Sequence, residues 1–267
     1  MNSISERLMQ VRDRISIAAR HAGRAPETIR LVGVSKTHPS EYIQQALEAG
    51  LSDFGENRVQ EAETKIAELA DDHGRITWHL IGHLQSNKAR RAATLFDIIH
   101  SVDSWGLAQT LDRHVQRLRE PSTELVQHES RAQAADNLAW PTTIRLPVLL
   151  QVNVSGEASK EGFALAGWEE QPAVLEAFFT DVERMLALPY LDIRGLMTIA
   201  PWSANPEAAR PTFRSARRLR DALAQRFSTS DWSELSMGMT DDFEIAVAEG
   251  ATIVRVGRAI FGERTPG

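Results

Sequence analysis

Cysteine is absent from the sequence. That excludes disulfides, thiolate nucleophiles, iron–sulfur clusters and thiolate zinc sites together. It also fits a cytoplasmic protein, since disulfides belong mainly to oxidising compartments. Long apolar runs are absent too. A membrane span needs about 20 consecutive apolar residues and a secretory leader an apolar core of about 7–15, whereas charges interrupt the opening stretch MNSISERLMQVRDRISIAAR throughout. Positive charge is not in excess: 30 lysines and arginines against 36 aspartates and glutamates leave a formal charge of −6. This argues against a nucleic acid partner, whose phosphates require a basic face. Tyrosine is scarce, with two in 267 residues, which leaves few candidates for a phenolic general base. What remains is ordinary globular composition, 42% hydrophobic and 25% charged, and it excludes a disordered chain.

Apolar spacing divides the chain into a repeating pattern. Ile4, Leu8, Val11, Ile15 and Ala18 recur at intervals of three and four, predicting an amphipathic N-terminal helix that packs on the outside of the main domain. Short runs rich in branched aliphatics then alternate with longer amphipathic segments. Strands are expected over 30–35, 53–55, 76–81, 97–101, 146–154, 191–197, 234–237 and 252–256. Helices are expected over 41–49, 57–70, 86–95, 104–119, 172–187, 206–227 and 241–249, with a final turn from Arg258. Eight strand–helix units in a chain of this length predict a single α/β domain, a (β/α)8 barrel of TIM type with an extra N-terminal helix. No GxGxxG follows the first strand, which weakens an open dinucleotide-binding sheet. The interval 120–143 breaks the rhythm: Pro121, Pro141 and many polar residues read as a surface insertion, with a helical piece around 124–138.

In such a barrel the reactive face lies at the carboxyl ends of the strands. Those ends carry Lys36 after the first strand, Asn57 after the second, His79 and His83 in and beyond the third, and Met197 at the sixth. Ser236 ends the seventh, and Arg255, Gly257 and Arg258 the eighth. The last two groups form a candidate phosphate cradle. The run from Ser236 to Thr240 supplies two hydroxyls and a glycine at which backbone amides can approach an anion. Gly257-Arg258 opens a short helix whose free N–H groups favour negative charge. The plainer reading is two glycine turns chosen for geometry. Taken alone, Lys36 reads first as a loop charge or salt-bridge partner. Barrel closure, however, sets the first strand beside the eighth. A phosphorylated aldehyde held in the cradle would present its carbonyl to Lys36, the arrangement of a Schiff base with pyridoxal phosphate. Partial burial and a nearby cation, Arg255 or Arg258, would help the amine shed its proton.

Seven stretches carry a resemblance. They are LVGVSKTHP (31–39), FGENRVQEA (54–62), WHLIGHLQSNKAR (78–90), SVDS (101–104), LLQVNVSGEASKEGF (149–163), IRGLMTIAP (193–201) and LSMGMTDDFEIAVAEGATIVRVGRAIFGER (235–264). In family order over nearly the whole chain, they resemble the pyridoxal phosphate homeostasis protein family, whose barrel is that of the alanine racemase N-terminal domain. The resemblance implies pyridoxal 5'-phosphate (PLP) as cofactor and Lys36 as its Schiff-base lysine. It implies Ser236, Gly257 and the backbone N–H of Arg258 around the phosphate. Arg255 would stand against either the phosphate or the pyridine ring, and Asn57, His79 and Met197 around the ring. His79 reads also as a hydrogen-bonded core imidazole, and Met197 as packing. Three features depart from the family pattern: the longer connection over 120–143, His83 where proline is frequent, and Arg58 where tyrosine is frequent.

A racemase of this barrel type adds a second domain and a tyrosine base opposite the lysine. Here the chain ends directly after the eighth unit, Tyr42 begins the helix after the first strand, and Tyr190 precedes the sixth strand at the opposite end of the barrel. Neither is set as a second base. The expectation is therefore a monomeric protein that holds PLP reversibly, limits free aldehyde and passes it to apo-enzymes, with a weak amino-acid racemase as the alternative. The resemblance implies a role in vitamin B6 homeostasis. His79 and His83 are four apart, but Gly82 and the strand between them would splay the rings, so no metal is expected. The basic run over 210–220 reads as the solvated side of a helix whose Phe213, Ala216 and Leu219 face inward.

Overall fold

The computed structural model describes residues 3–119 and 145–263, and the expected insertion over 120–143 lies outside them. Nine strands follow one another along the described chain: β1 (Arg30–Val34), β2 (Asp53–Glu56), β3 (Thr77–Leu80), β4 (Ile98–Val102), β5 (Leu146–Asn153), β6 (Phe163–Ala164), β7 (Leu191–Met197), β8 (Glu234–Ser236) and β9 (Ile253–Val256). Eight of them are parallel neighbours in the order β4-β3-β2-β1-β9-β8-β7-β5, and the β4–β5 pairing closes the ring. The barrel read from the sequence is thus the fold. The exception is β6, two residues alongside the end of β5, too short to leave a periodic signal.

The helices α1 (Ile4–His21), α2 (Ser40–Glu48), α3 (Val59–Glu68), α4 (Ala89–Leu95), α5 (Trp105–Arg119), α6 (Pro172–Leu186), α7 (Arg210–Arg226), α8 (Phe243–Ala248) and α9 (Arg258–Phe261) surround the sheet. Ser3 and Glu6 cap the start of α1 reciprocally. Its buried stripe is Ile4, Leu8, Val11, Ile15 and Ala19; Ala19 replaces the expected Ala18 because the 3.6-residue period carries the stripe round by one position. The stripe covers α8 and α9, and Arg7 Nε donates to Ile260 O at 2.6 Å. The expected helix over 206–227 begins as a 3-10 turn, Pro206–Ala209, before α7 proper. Pro206 and Pro211 lack the N–H groups an α-helix would need further in, so both sit in first turns. In α7, Phe213, Ala216 and Leu219 are fully buried while Arg210 and Arg214 reach Glu249 at 2.8 and 3.0 Å. No helix among the described residues is long and apolar enough to cross a membrane.

Two apolar zones hold the barrel. The larger lies between sheet and helices and includes Phe54, Trp78, Leu80, Phe213 and Phe243. The smaller joins Val32, Leu149, Met197 and Ile253. Since β1 and β5 stand on opposite sides of the ring, this second group fills the lumen. At one place backbone meets backbone: a Cβ on Gly195 of β7 (φ +153°) would lie 1.7 Å from Glu234 O of β8. No rotamer change relieves a clash with a strand carbonyl. Gly195→Ala is expected to lower the unfolding free energy by about 3 kcal/mol or more, read as a lower urea midpoint or loss of soluble protein.

Candidate functional site at the barrel mouth

Lys36 stands two residues past β1, half-buried, between two anchored neighbours. Ser35 Oγ donates to Glu56 Oε1 at 2.7 Å. Lys65 of α3, itself buried, donates to Ser35 O, Glu56 Oε1 and Glu61 Oε1, each at 2.8 Å. On the other side Thr37 N donates to Glu61 Oε1 at 2.5 Å. Burial pushes the Glu56 carboxyl up, against the attraction of Lys65 and the Ser35 hydroxyl. Burial also acts upward on Glu61, but Lys65 and the Thr37 N–H outweigh it and hold that carboxyl low. Thr37 adopts φ +66°, a left-handed backbone rare for a β-branched residue. One ion cluster therefore fixes the chain on both sides of the lysine.

Across the seam the cradle is built from the ends of β8 and β9. Gly238 has φ +91°, and a Cβ there would meet Ala246 Cβ at 2.5 Å and Phe243 Cα at 2.9 Å, so glycine is required twice over. Its carbonyl accepts Arg255 N–H at 3.0 Å. Gly257 precedes α9, and a Cβ on it would lie 3.1 Å from Val34 O. The end of β1 thus rests on the loop after β9, and Lys36, Ser236 and Gly257 converge at neighbouring strand ends. The Arg258 guanidinium turns to Asp241 and Glu263 at the rim, so the backbone is what this residue can direct at the mouth.

Arg255 is buried, and its guanidinium donates to Ser236 Oγ at 2.6 Å and Thr198 O at 2.9 Å. Among the described residues no carboxylate lies within ion-pair distance of it. Burial lowers its pKa to about 10, with the charge of Asp242 acting the other way. A buried cation held by neutral oxygens beside a serine hydroxyl is suited to an anion.

The ring-side residues are spread more widely. Asn57 is half-buried at the end of β2, its backbone so close to the turn after β3 that a Cβ on Gly82 would lie 2.3 Å from Asn57 O. It lines a cleft with Arg58, Gln60, His83 and Lys88. Met197 is fully buried in the lumen against Val32, Leu149 and Ile253, a floor beneath the mouth. His79 is also fully buried, with both ring nitrogens engaged by Asp53 and His100. His83 lies apart from it at the rim, 3.1 Å from Asp103. His83, Asp103 and Glu161 place ligand atoms within 4.8 Å of one another and could hold a metal ion, though His83 and Glu161 are exposed. Sequence spacing missed this trio because its members come from three separate loops.

A closed parallel barrel with a lysine at the first strand end, beside glycine turns and a buried arginine at the last two, defines a (β/α)8 protein whose candidate site lies at the strand carboxyl ends. The chain belongs to the pyridoxal phosphate homeostasis protein family, and the family model it matches, over residues 7–265, is that of the alanine racemase N-terminal domain. It is 42% identical over 267 residues to the pyridoxal phosphate homeostasis protein of Pseudomonas aeruginosa, spanning 100% of this chain and 98% of that protein. It is 38% identical to PipY of Synechococcus elongatus PCC7942 in a structure with PLP bound, covering 97% of this chain and 100% of that one at a TM-score of 0.75. An alanine racemase of Clostridium difficile 630, 12% identical with a TM-score of 0.65, matches 99% of this chain and 57% of its own length, and shares the fold.

Removing Lys65 would strand a buried carboxylate whose second oxygen, Oε2, has no hydrogen-bond partner among the described residues. Lys65→Met is expected to cost about 3–5 kcal/mol, and Lys65→Met combined with Glu56→Gln to recover part of it. Thermal denaturation of both variants checks this.

Proposed function

We propose that the chain binds PLP at the barrel mouth and serves as its carrier in the cytoplasm. PLP, when bound, supplies an aldehyde that condenses reversibly with amines. Lys36 is the amine that captures it. Ser236 and the backbone N–H groups of Gly257 and Arg258 hold the phosphate, with the Arg255 charge behind Ser236. Asn57 and His79 border the ring, and Met197 forms the floor under it. The observation that carries this reading is the buried Arg255–Ser236 pair, a cation with no carboxylate in ion-pair contact among the described residues, beside the strand that delivers Lys36. The relatives named pyridoxal phosphate homeostasis proteins, and PipY with PLP bound, support the same cofactor.

The reading favours holding over turnover. Racemisation needs an acid–base group on each face of the cofactor. Of the two tyrosines, Tyr42 stacks on His38 with ring centroids 5.6 Å apart, and Tyr190 precedes β7, at the end of the barrel away from the mouth. A monomeric barrel that holds the aldehyde reversibly would limit its free concentration and hand it to apo-enzymes, the role of a homeostasis protein.

Purified protein mixed with PLP is expected to develop an absorbance band near about 420 nm. Borohydride should then fix the cofactor on the peptide containing Lys36, and Lys36→Ala should abolish both signals. Ser236→Ala is expected to weaken PLP binding about tenfold, near 1.4 kcal/mol. Wild-type protein that never develops the band with PLP would overturn the reading, and steady conversion of L- to D-alanine lost in Lys36→Ala would replace carrier with racemase.

A further inference from the structure

The lumen contains a chain of polar side chains that apolar packing does not require. Asp53 Oδ1 of β2 lies 3.0 Å from His79 Nε2 of β3. His79 Nδ1 lies 2.9 Å from His100 Nε2 of β4. His100 Nδ1 lies 2.9 Å from Ser236 Oγ of β8, which also accepts Arg255. β4 and β8 are not neighbours in the sheet, so the His100–Ser236 contact crosses the barrel. Both histidines and Ser236 are fully buried, whereas Asp53 is only half-buried and stands beside the exposed Arg30. The chain therefore runs from a solvent-reached carboxylate to the hydroxyl at the proposed phosphate cradle.

Its hydrogens have few arrangements. Arginine can only donate, so Ser236 Oγ accepts from Arg255 and keeps one hydrogen to give. With Asp53 ionised and both imidazoles neutral, one direction satisfies every contact. Ser236 donates to His100 Nδ1, His100 Nε2–H donates to His79 Nδ1, and His79 Nε2–H donates to Asp53. A phosphate dianion is an acceptor only and needs the Ser236 hydrogen turned toward it. His100 must then carry its proton on Nδ1 to donate to Ser236 Oγ. Its Nε2 becomes an acceptor, so His79 must donate from Nδ1 while Nε2–H still faces Asp53. The first arrangement holds three hydrogens among Ser236, His100 and His79, and the second holds four.

We propose that a phosphate dianion at Ser236 reverses the His100 tautomer and draws one proton from solution into the His79–Asp53 pair, adding positive charge beneath the anion. This rests on the reading that phosphate occupies the cradle. His100, His79 and Asp53 are positioning residues that act through Ser236. The surrounding charges agree. Burial, with the charges of His79, Arg255 and Arg30, holds the His100 pKa well down, so His100 changes tautomer and does not keep the proton. Burial acts upward on Asp53, but His79, the Ser52 hydroxyl and Arg30 outweigh it and keep the carboxyl low, so the chain of contacts ends on an anion. Glu234 of β8, 3.5 Å from Arg30, and Asp242, which acts on Arg255, are further charged groups beside the chain of contacts.

Calorimetric titration of the full chain with PLP at about pH 8, where a phosphate monoester is a dianion, in two buffers of different ionisation enthalpy counts the protons taken up per PLP bound. The absorbance of the same samples reports capture by Lys36. Wild type is expected to take up about one proton more than His100→Asn, whose amide can donate to Ser236 without titrating, and about one more than Asp53→Asn at the other end. Linkage then requires wild-type affinity to fall with rising pH about tenfold more per unit than in either variant. Equal proton counts in wild type and both variants, each still showing the band, would overturn the relay and leave the carrier reading intact. Wild type without the band would overturn the carrier reading, and the relay with it.

Discussion

Pairing of β1 with β9 is the constraint on which the rest depends. It is the seam where the first strand of the barrel meets the last, with Leu31 opposite Val254 and Gly33 opposite Val256. The ordinary requirement that a parallel sheet bury both faces closes it. The functional result is a meeting of residues more than two hundred positions apart. Gly257 approaches Val34 O so closely that a side chain would crowd it, and the segment carrying Lys36 leaves from that point. The turns after β8 and β9 and the segment carrying Lys36 lie side by side because the ring closes there.

Electrostatic support for this mouth comes from two separate networks. Outside the strands, Glu56, Lys65 and Glu61 fix the backbone on both sides of Lys36. Inside them, Arg255, Ser236, His100, His79 and Asp53 run across the lumen. The two differ in kind. The first pairs buried charges of opposite sign, so removing one member leaves an uncompensated ion. The second joins mostly neutral groups whose donor directions are set at its two ends, which lets its inner contacts, His100–Ser236 and His79–His100, change direction without moving heavy atoms.

Much of the fold was legible because its signal is local. Runs such as Leu31–Val34 and Val148–Leu150 are apolar enough for strands buried on both faces, and the helices between them keep a 3.6-residue stripe. The three residues read as the inner side of α7, Phe213, Ala216 and Leu219, are all buried, on a stripe that extends to Thr212 and Leu223. Lys36, Ser236, Gly257 and Arg258 stand out in the sequence because each sits at or just past a strand end and glycine marks the turns. The rest was hidden by distance in the chain. His100 passes in the sequence for one more residue of a buried strand, and only ring closure brings it to Ser236. Lys65 looks like a surface lysine of a polar helix, although its place on the stripe with Ala62 and Ile66 marks the buried face. The 3-10 turns before α4 and α7 and the two-residue β6 are set by proline placement and loop contacts that periodicity does not register.

The left-handed backbone at Thr37 carries a mechanical consequence. A β-branched residue held there stores about 1–3 kcal/mol, and it stays because its N–H is tied to Glu61 and the neighbouring turn to Lys65. The segment behaves as a preloaded latch whose shape is imposed from behind, so the backbone that carries Lys36 is held in place by α3.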